Sequence, residues 1–157
     1  MNRIGNYNEE KTIYGNNGSL FLNDSQMAEA TAFQAKCKMN KVEVPMCGTN
    51  AKKYKIVGWD GSGTITLNKV SSRMLLLLGD NLRNGIETVC TIISKISDPG
   101  NGGTERVKIT GVKFDELTLA DWASSKLGTE SIPFTFEDFE PLDTIDPASV
   151  MPTNAAS

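Results

Sequence analysis

Between residues 32 and 46 apolar and polar positions alternate. Phe33, Ala35, Cys37 and Met39 share one parity, and Gln34, Lys36, Lys38 and Asn40 share the other. That two-residue period belongs to a strand with one covered face. Beyond Lys41 the apolar set moves to Val42, Val44 and Met46. A strand cannot exchange faces without an interruption, so a bulge or tight bend is predicted near residues 40–41. Residues 19–22 predict a short strand and residues 23–25 a turn. Residues 54–59 and 63–68 predict further strands, with residues 60–63 read as a glycine turn between them.

Residues 71–85 carry the one convincing helical pattern. Met74, Leu75, Leu78 and Leu82 recur at three- and four-residue spacing, the signature of one helical face. Leu76 and Leu77 widen it. Ser71 or Ser72 can cap the start, and Gly85 can end the helix in a left-handed conformation. A helix so rich in leucine is expected to be half or more covered.

After the helix, residues 87–97 are rich in β-branched side chains on both parities, which predicts a central strand. Residues 98–103 are the strongest turn signal and predict an antiparallel hairpin with residues 105–114. In that second strand Val107 and Ile109 lie on one parity, Val112 and Phe114 on the other. Gly111 sits at the switch, where a glycine bulge is expected. Residues 117–123 read as strand or extended loop. Residues 131–136 are the last clear strand, with Ile132, Phe134 and Phe136 on one face. Pro133 requires an edge position or an outward-pointing N–H site.

These elements predict a mainly β fold, an antiparallel β-sandwich or partly closed barrel with one packed α-helix. Residues 1–17, polar and rich in Asn and Gly, are expected to be a flexible arm ordered only where a neighbour holds it. Residues 18–140 form the β domain. Residues 141–157 are expected to be an exposed or disordered acidic tail containing prolines.

A chain of 157 residues fits one domain and typically buries roughly 68–70% of its unfolded surface. No apolar run approaches the roughly 20 residues of a membrane helix, and no signal-peptide core opens the sequence. The chain is expected to be made and kept in a cytosol unless it leaves within something larger. Cys37, Cys47 and Cys90 are an odd set without a close pair, so reduced thiols are expected. The sequence contains no histidine. That excludes a Ser-His-Asp triad, a Cys-His pair and any histidine metal site. The glycines of residues 60–63 lack the Gly-Lys-Ser/Thr ending of a phosphate loop and do not open the helix.

Net charge is −3, unevenly spread. Residues 115–157 carry one basic side chain, Lys126, against nine acidic ones. Residues 1–70 carry nine basic and six acidic side chains, with Lys52, Lys53 and Lys55 the densest basic cluster. A solvated acidic tail and a solvated lysine loop are the plain readings. Head-to-tail assembly, in which the basic end of one copy meets the acidic end of the next, is the functional one.

An enzyme and a binding module are the competing function classes. Glu137, Asp138 and Glu140 do not form a catalytic pair by spacing alone, because neighbouring strand residues point to opposite faces. Trp59 and Trp122 would suit a carbohydrate platform in a small β-sandwich binding module, although single tryptophans more often anchor cores or interfaces.

The run Gly103-Thr-Glu-Arg-Val-Lys-Ile-Thr-Gly-Val-Lys-Phe-Asp115 is followed by Ile132-Pro-Phe-Thr-Phe-Glu-Asp-Phe139. Together they resemble the C-terminal half of the tail tube proteins of PBSX-type prophages. Gly18-Ser-Leu-Phe-Leu-Asn23, Gly61-Ser-Gly-Thr-Ile-Thr66 and Lys69-Val-Ser-Ser72 resemble earlier stretches of that family. The matches keep the family's order over roughly residues 15–140. The resemblance implies the inner tube of a contractile phage tail or of a phage-tail-like bacteriocin, built from stacked hexameric rings. It implies a lumen barrel shared by six subunits with the helix outside. The implied partners are a sheath protein, a baseplate and tube-terminating proteins, with DNA only as non-specific cargo. Assembly would occur in the bacterial host cytoplasm, with the product in a virion tail or a released particle. No catalytic residue, metal site, cofactor or membrane insertion is implied. Lys36, Lys38, Lys41, Lys52, Lys53 and Lys55, with the Asn-rich arm, are the expected contacts to the adjacent ring. The faces of residues 34–40 and of residues 64–68 are alternative linings for the lumen.

Overall fold

The computed structural model describes residues 9–150, so expectations for the first eight and last seven residues lie outside the described residues. The chain runs β1 (Gly18–Leu22), β2 (Ser25–Gln26), β3 (Ala30–Val44), β4 (Lys53–Asn68), α1 (Arg73–Arg83), β5 (Cys90–Asp98), β6 (Gly103–Phe114), β7 (Thr129–Phe136), β8 (Asp138–Asp143) and α2 (Pro147–Val150). All pairings are antiparallel, in the order β2-β1-β5-β6-β7-β4-β3, with β8 added to β6. The mainly β reading holds, and the path does not close on itself.

Strand β6 makes two layers out of one sheet. Up to Thr110 it lies between β5 and β8; Lys113 and Phe114 then pair with β7. Gly111 stands at the change with φ of +68°, a conformation open to glycine without a Cβ penalty. The register between β5 and β6 shifts at the same place. One core results: Leu20, Leu22, Ile92, Ile109 and Val112 come from the first layer, Ile65, Leu67, Ile132, Phe134 and Phe136 from the second.

The break expected at residues 40–41 is present. Asn40 pairs with Gly58 but Lys41 with Ile56, which leaves Val57 as the extra residue on β4. The turn expected at residues 60–63 is absent, and β4 runs straight through. Its glycines serve space rather than conformation. A Cβ on Gly61 would lie 2.5 Å from the Phe136 ring, and one on Gly63 would meet the Phe134 ring and the Gln34 carbonyl.

Helix α1 starts after Ser72, whose side chain makes no capping hydrogen bond. It ends as predicted: Gly85 has φ of +70°, and Gly85 N–H and Ile86 N–H donate to the carbonyls of Leu82 and Asn81, the Schellman pattern. The buried face differs from the expected one. Met74 is buried and Leu77 and Leu78 pack on the core, while Leu75, Leu76 and Leu82 are exposed. Arg73 fastens the helix start by an ion pair to Glu29 at 2.7 Å.

Residues 117–123 form a loop rather than a strand. Strand β8 continues to Asp143, past the Pro141 at which the sequence reading begins the tail. Its few apolar residues hide a strand held by backbone pairing and the Arg106–Asp143 ion pair at 2.9 Å. Pro133 lies in an interior strand, but its carbonyl accepts from Asp115 N–H on the β6 side. Its missing N–H lies on that same side, opposite Asp115 just past the end of β6, so the pairing of β7 with β4 loses nothing. The second half of the N-terminal segment is held by this chain itself: Tyr14 N–H donates to Asp98 at 2.7 Å, and Asn101 Nδ2 donates to the Lys11 carbonyl at 2.7 Å.

Candidate assembly site

The second layer, β3-β4-β7-β6, has two unlike faces because its cross-strand register keeps the two parities apart. Phe33, Ile65 and Ile132 are aligned across three strands on the core side, followed by Ala35, Gly63 and Phe134. The opposite side aligns Gln34, Thr64 and Pro133, then Lys36, Ser62, Thr135 and Lys113. Thr66 and Ser131 extend it. Residues 34–40 and residues 64–68, read as alternative linings, therefore supply one and the same polar face. Neither stretch shows this alone, because the pairing joins residues about thirty positions apart.

The edge of this layer is open. Strand β3 pairs only with β4 and leaves its other side without a strand partner among the described residues. Such a row of backbone N–H and C=O groups is a template for another strand. On the first layer β8 pairs only with β6. Sequence reasoning missed the long β3 edge, because periodicity reports which face is covered and not which neighbour a strand has.

Beyond Gly61 strand β4 loses β7, and residues 53–60 continue with β3 alone. This two-stranded ribbon projects about 25 Å at roughly 3.3 Å per residue. Most of the expected contact lysines lie on it or at its root. Lys36 and Lys38 stand on β3, opposite Ser62 and Asp60. Lys53 and Lys55 share a ribbon face with Val44 and Val42, while Lys41 shares the other face with Ile56. Lys52 is in the connecting loop. The lysines are thus brought to one ribbon but divided between its faces. Met39, Val42, Val44, Met46, Tyr54, Ile56 and Val57 are all exposed along with them. A ribbon with apolar residues on both sides and nothing covering it among the described residues is suited to contact another molecule.

The acidic counterpart lies on β8 and at its start. Asp143 is paired to Arg106, and Glu137 lies 3.8 Å from Lys113. Trp59 joins the ribbon root to this region, with ring centroids 5.7 Å from Phe139 and 6.0 Å from Phe136. It is an anchor, not half of a platform with Trp122, which stands exposed in the loop 115–128. Among the described residues no group of His, Cys, Asp or Glu is arranged to hold a metal ion. No helix there is long and apolar enough to cross a membrane. The three cysteines are free; burial raises the pKa of Cys90, against a smaller opposing hydrogen bond from Asn23.

Comparison with known proteins gives the family and the fold. Residues 5–143 match the family described as phage tail tube protein. The phage-like element PBSX protein XkdM of Bacillus subtilis (strain 168) is 38% identical over 133 residues, which cover 83% of this chain and 90% of the relative. The fold is shared with a chain in the sheath-tube complex of an extracellular contractile injection system in its extended state, with a TM-score of 0.68 and 8% identity over 87% of this chain and 95% of that one. It is shared too with a chain in the tube-terminating cap of the anti-feeding prophage, with a TM-score of 0.67 and 13% identity over 85% and 92%. At such identities the likeness is one of fold. The family match and the relative together establish that this chain belongs to the phage tail tube protein family, and its role is that of a structural subunit of a tail tube.

Proposed function

We propose that copies of this chain close into hexameric rings and stack into the hollow inner tube of a contractile phage tail or phage-tail-like bacteriocin. The observation that carries this reading is the unpaired length of β3 at the margin of a layer whose outer face is polar. Strand addition at that margin satisfies the exposed backbone groups and extends the layer from copy to copy. A head-to-tail contact that closes gives a ring, and rings stacked the same way give a filament. The polar face of Gln34, Lys36, Ser62, Thr64 and Thr135 lines the lumen. Hydroxyl and amide groups there hold water and offer passing cargo no apolar foothold.

The ribbon reaches the adjacent ring. Its lysines, Lys52, Lys53 and Lys55 foremost, register against the carboxylates of the β8 region on that ring. The tube serves as a conduit without chemistry of its own and without a cofactor. It is assembled in the bacterial host cytoplasm inside a sheath, on a baseplate and under a terminating protein. DNA passes only as non-specific cargo. The division proposed for the chain is an arm over residues 1–17, a β domain over residues 18–140 and a tail over residues 141–157, with Lys11 and Tyr14 of the arm and Asp143 of the tail docked on the β domain.

Charge reversal at Lys52, Lys53 and Lys55 tests the stacking. Micrographs of the purified triple variant are expected to show rings but few and short tubes. Tubes of ordinary yield and length would remove the lysines from the contact. Dispersed single subunits from the unsubstituted protein at high concentration would remove the whole reading.

A further inference from the structure

Helix α1 separates a projecting knob from an open groove. The knob is the turn at residues 123–126, where Lys126 N–H donates to the Ala123 carbonyl at 3.3 Å and Ser125 has φ of +62°. Trp122 and Leu127 flank this turn and are 87% and 92% exposed, the two most exposed large apolar side chains among the described residues. A hydrogen bond from Lys69 N–H to the Gly128 carbonyl, 2.8 Å long, ties the loop to the chain entering α1. The groove lies at the other end of the helix. Its apolar walls are Leu78, Leu82, Ile86, Phe114 and Leu117, around a cavity of about 440 Å³. An 11-residue helix spans about 16 Å, which sets the distance scale between the two features.

We propose that the Trp122–Leu127 knob of one copy seats in the groove beside α1 of the next copy and forms the outer contact within the ring. This rests on the ring reading above and adds to it which surfaces meet. A closed ring needs two different, complementary patches on every subunit, and the surface around α1 carries one of each. The charges agree. Lys126 adjoins Leu127, and the groove is bordered by the exposed Asp115 and Glu116. None of these three side chains has an ion pair among the described residues. Asp121 adjoins Trp122, and Lys113 on the groove already serves Glu87 at 3.3 Å and Glu137 at 3.8 Å. Burying a tryptophan in an apolar socket ringed by charge is the usual make-up of an interface anchor. A second copy is favoured over a different protein because knob and groove occur together on one chain, with Lys126 beside the knob and Asp115 and Glu116 beside the groove each lacking an ion pair among the described residues.

The test uses two variants whose substitutions touch only exposed side chains. Trp122→Ala with Leu127→Ala removes the knob and keeps the groove; Leu82→Arg blocks the groove and keeps the knob. Circular dichroism reports whether each keeps its fold. In sedimentation, each variant alone is expected to remain a single subunit where the unsubstituted protein forms rings. An equal mixture is expected to form a two-subunit species and nothing larger, since one intact knob meets one intact groove. Rings of ordinary size from either variant would overturn the inference and leave the ring reading standing; the knob and groove would then face another macromolecule. A mixture that stays entirely single would also overturn it, because the two surfaces then do not meet. If the unsubstituted chain never forms rings, the ring reading falls and this inference with it. Should a variant fold poorly, Trp59→Phe leaves Trp122 as the sole tryptophan, which can be excited apart from the tyrosines. Its fluorescence must shift to shorter wavelength on assembly, and an unchanged spectrum would be decisive against the contact.

Discussion

The ring of Phe134 fills the space above Gly63 that any side chain there would need, and the two residues are cross-strand partners on β7 and β4. Phe134 is also stacked on Phe33 at 5.8 Å and meets Phe114 edge-on at 6.2 Å. The glycine therefore sets the position of a ring on which the core of the second layer is built. Gly63→Ala forces the ring, the Gln34 carbonyl, or both to move. Overpacking of this kind costs about 3 kcal/mol. Urea denaturation is expected to show the midpoint falling accordingly. An unchanged midpoint would mean that the aromatic cluster is slack.

The missed turn at residues 60–63 shows what a sequence does and does not disclose. Two glycines in a polar stretch have the same appearance whether they supply positive φ or vacate space for a ring. The deciding partner, Phe134, lies about seventy residues away. The bulges were legible because they leave a local trace, the change of apolar parity at residues 40–41 and at Gly111. The hairpin over residues 98–103 was legible for the same reason. The covered face of α1 was not, since five consecutive apolar positions fit several helical faces and only packing chooses Met74 with Leu77 and Leu78. Of the assembly site, the lysines and the polar residues could be named, but not that two polar stretches make one face. The open β3 edge and the groove beside α1 depend wholly on tertiary arrangement.

Lys69 and Glu130 form an ion pair at 2.7 Å in which the carboxylate is 6% exposed and the lysine 37%. Removing the lysine leaves a buried carboxylate with no cation. Lys69→Met is expected to lower stability by about 1–2 kcal/mol, less than for a fully buried pair because water reaches the lysine side. Adding Glu130→Gln should recover part of the loss. Thermal melts of the single and double variants measure this, and equal losses in both would contradict the pairing.

Asp98 accepts hydrogen bonds from Tyr14 N–H and Gly100 N–H, which hold its pKa below the ordinary 3.8. A depressed carboxylate stabilises the fold fully above its unfolded value and ceases to do so as pH falls through its folded value. The N-terminal segment is thus expected to stay docked at neutral pH. It should loosen only under acid, with the change beginning below about pH 3.8. The Tyr14 amide resonance follows this directly, and Asp98→Asn should abolish its titration. A midpoint at or above the ordinary value would refute the assignment.

A reconstruction of tubes grown from the purified chain bears most directly on how copies join. It is expected to show sixfold rings in which the free side of β3 is hydrogen-bonded to a neighbouring copy and Gln34, Lys36 and Thr64 face the channel. Rings joined through other surfaces, with β3 still open to solvent, would contradict the account.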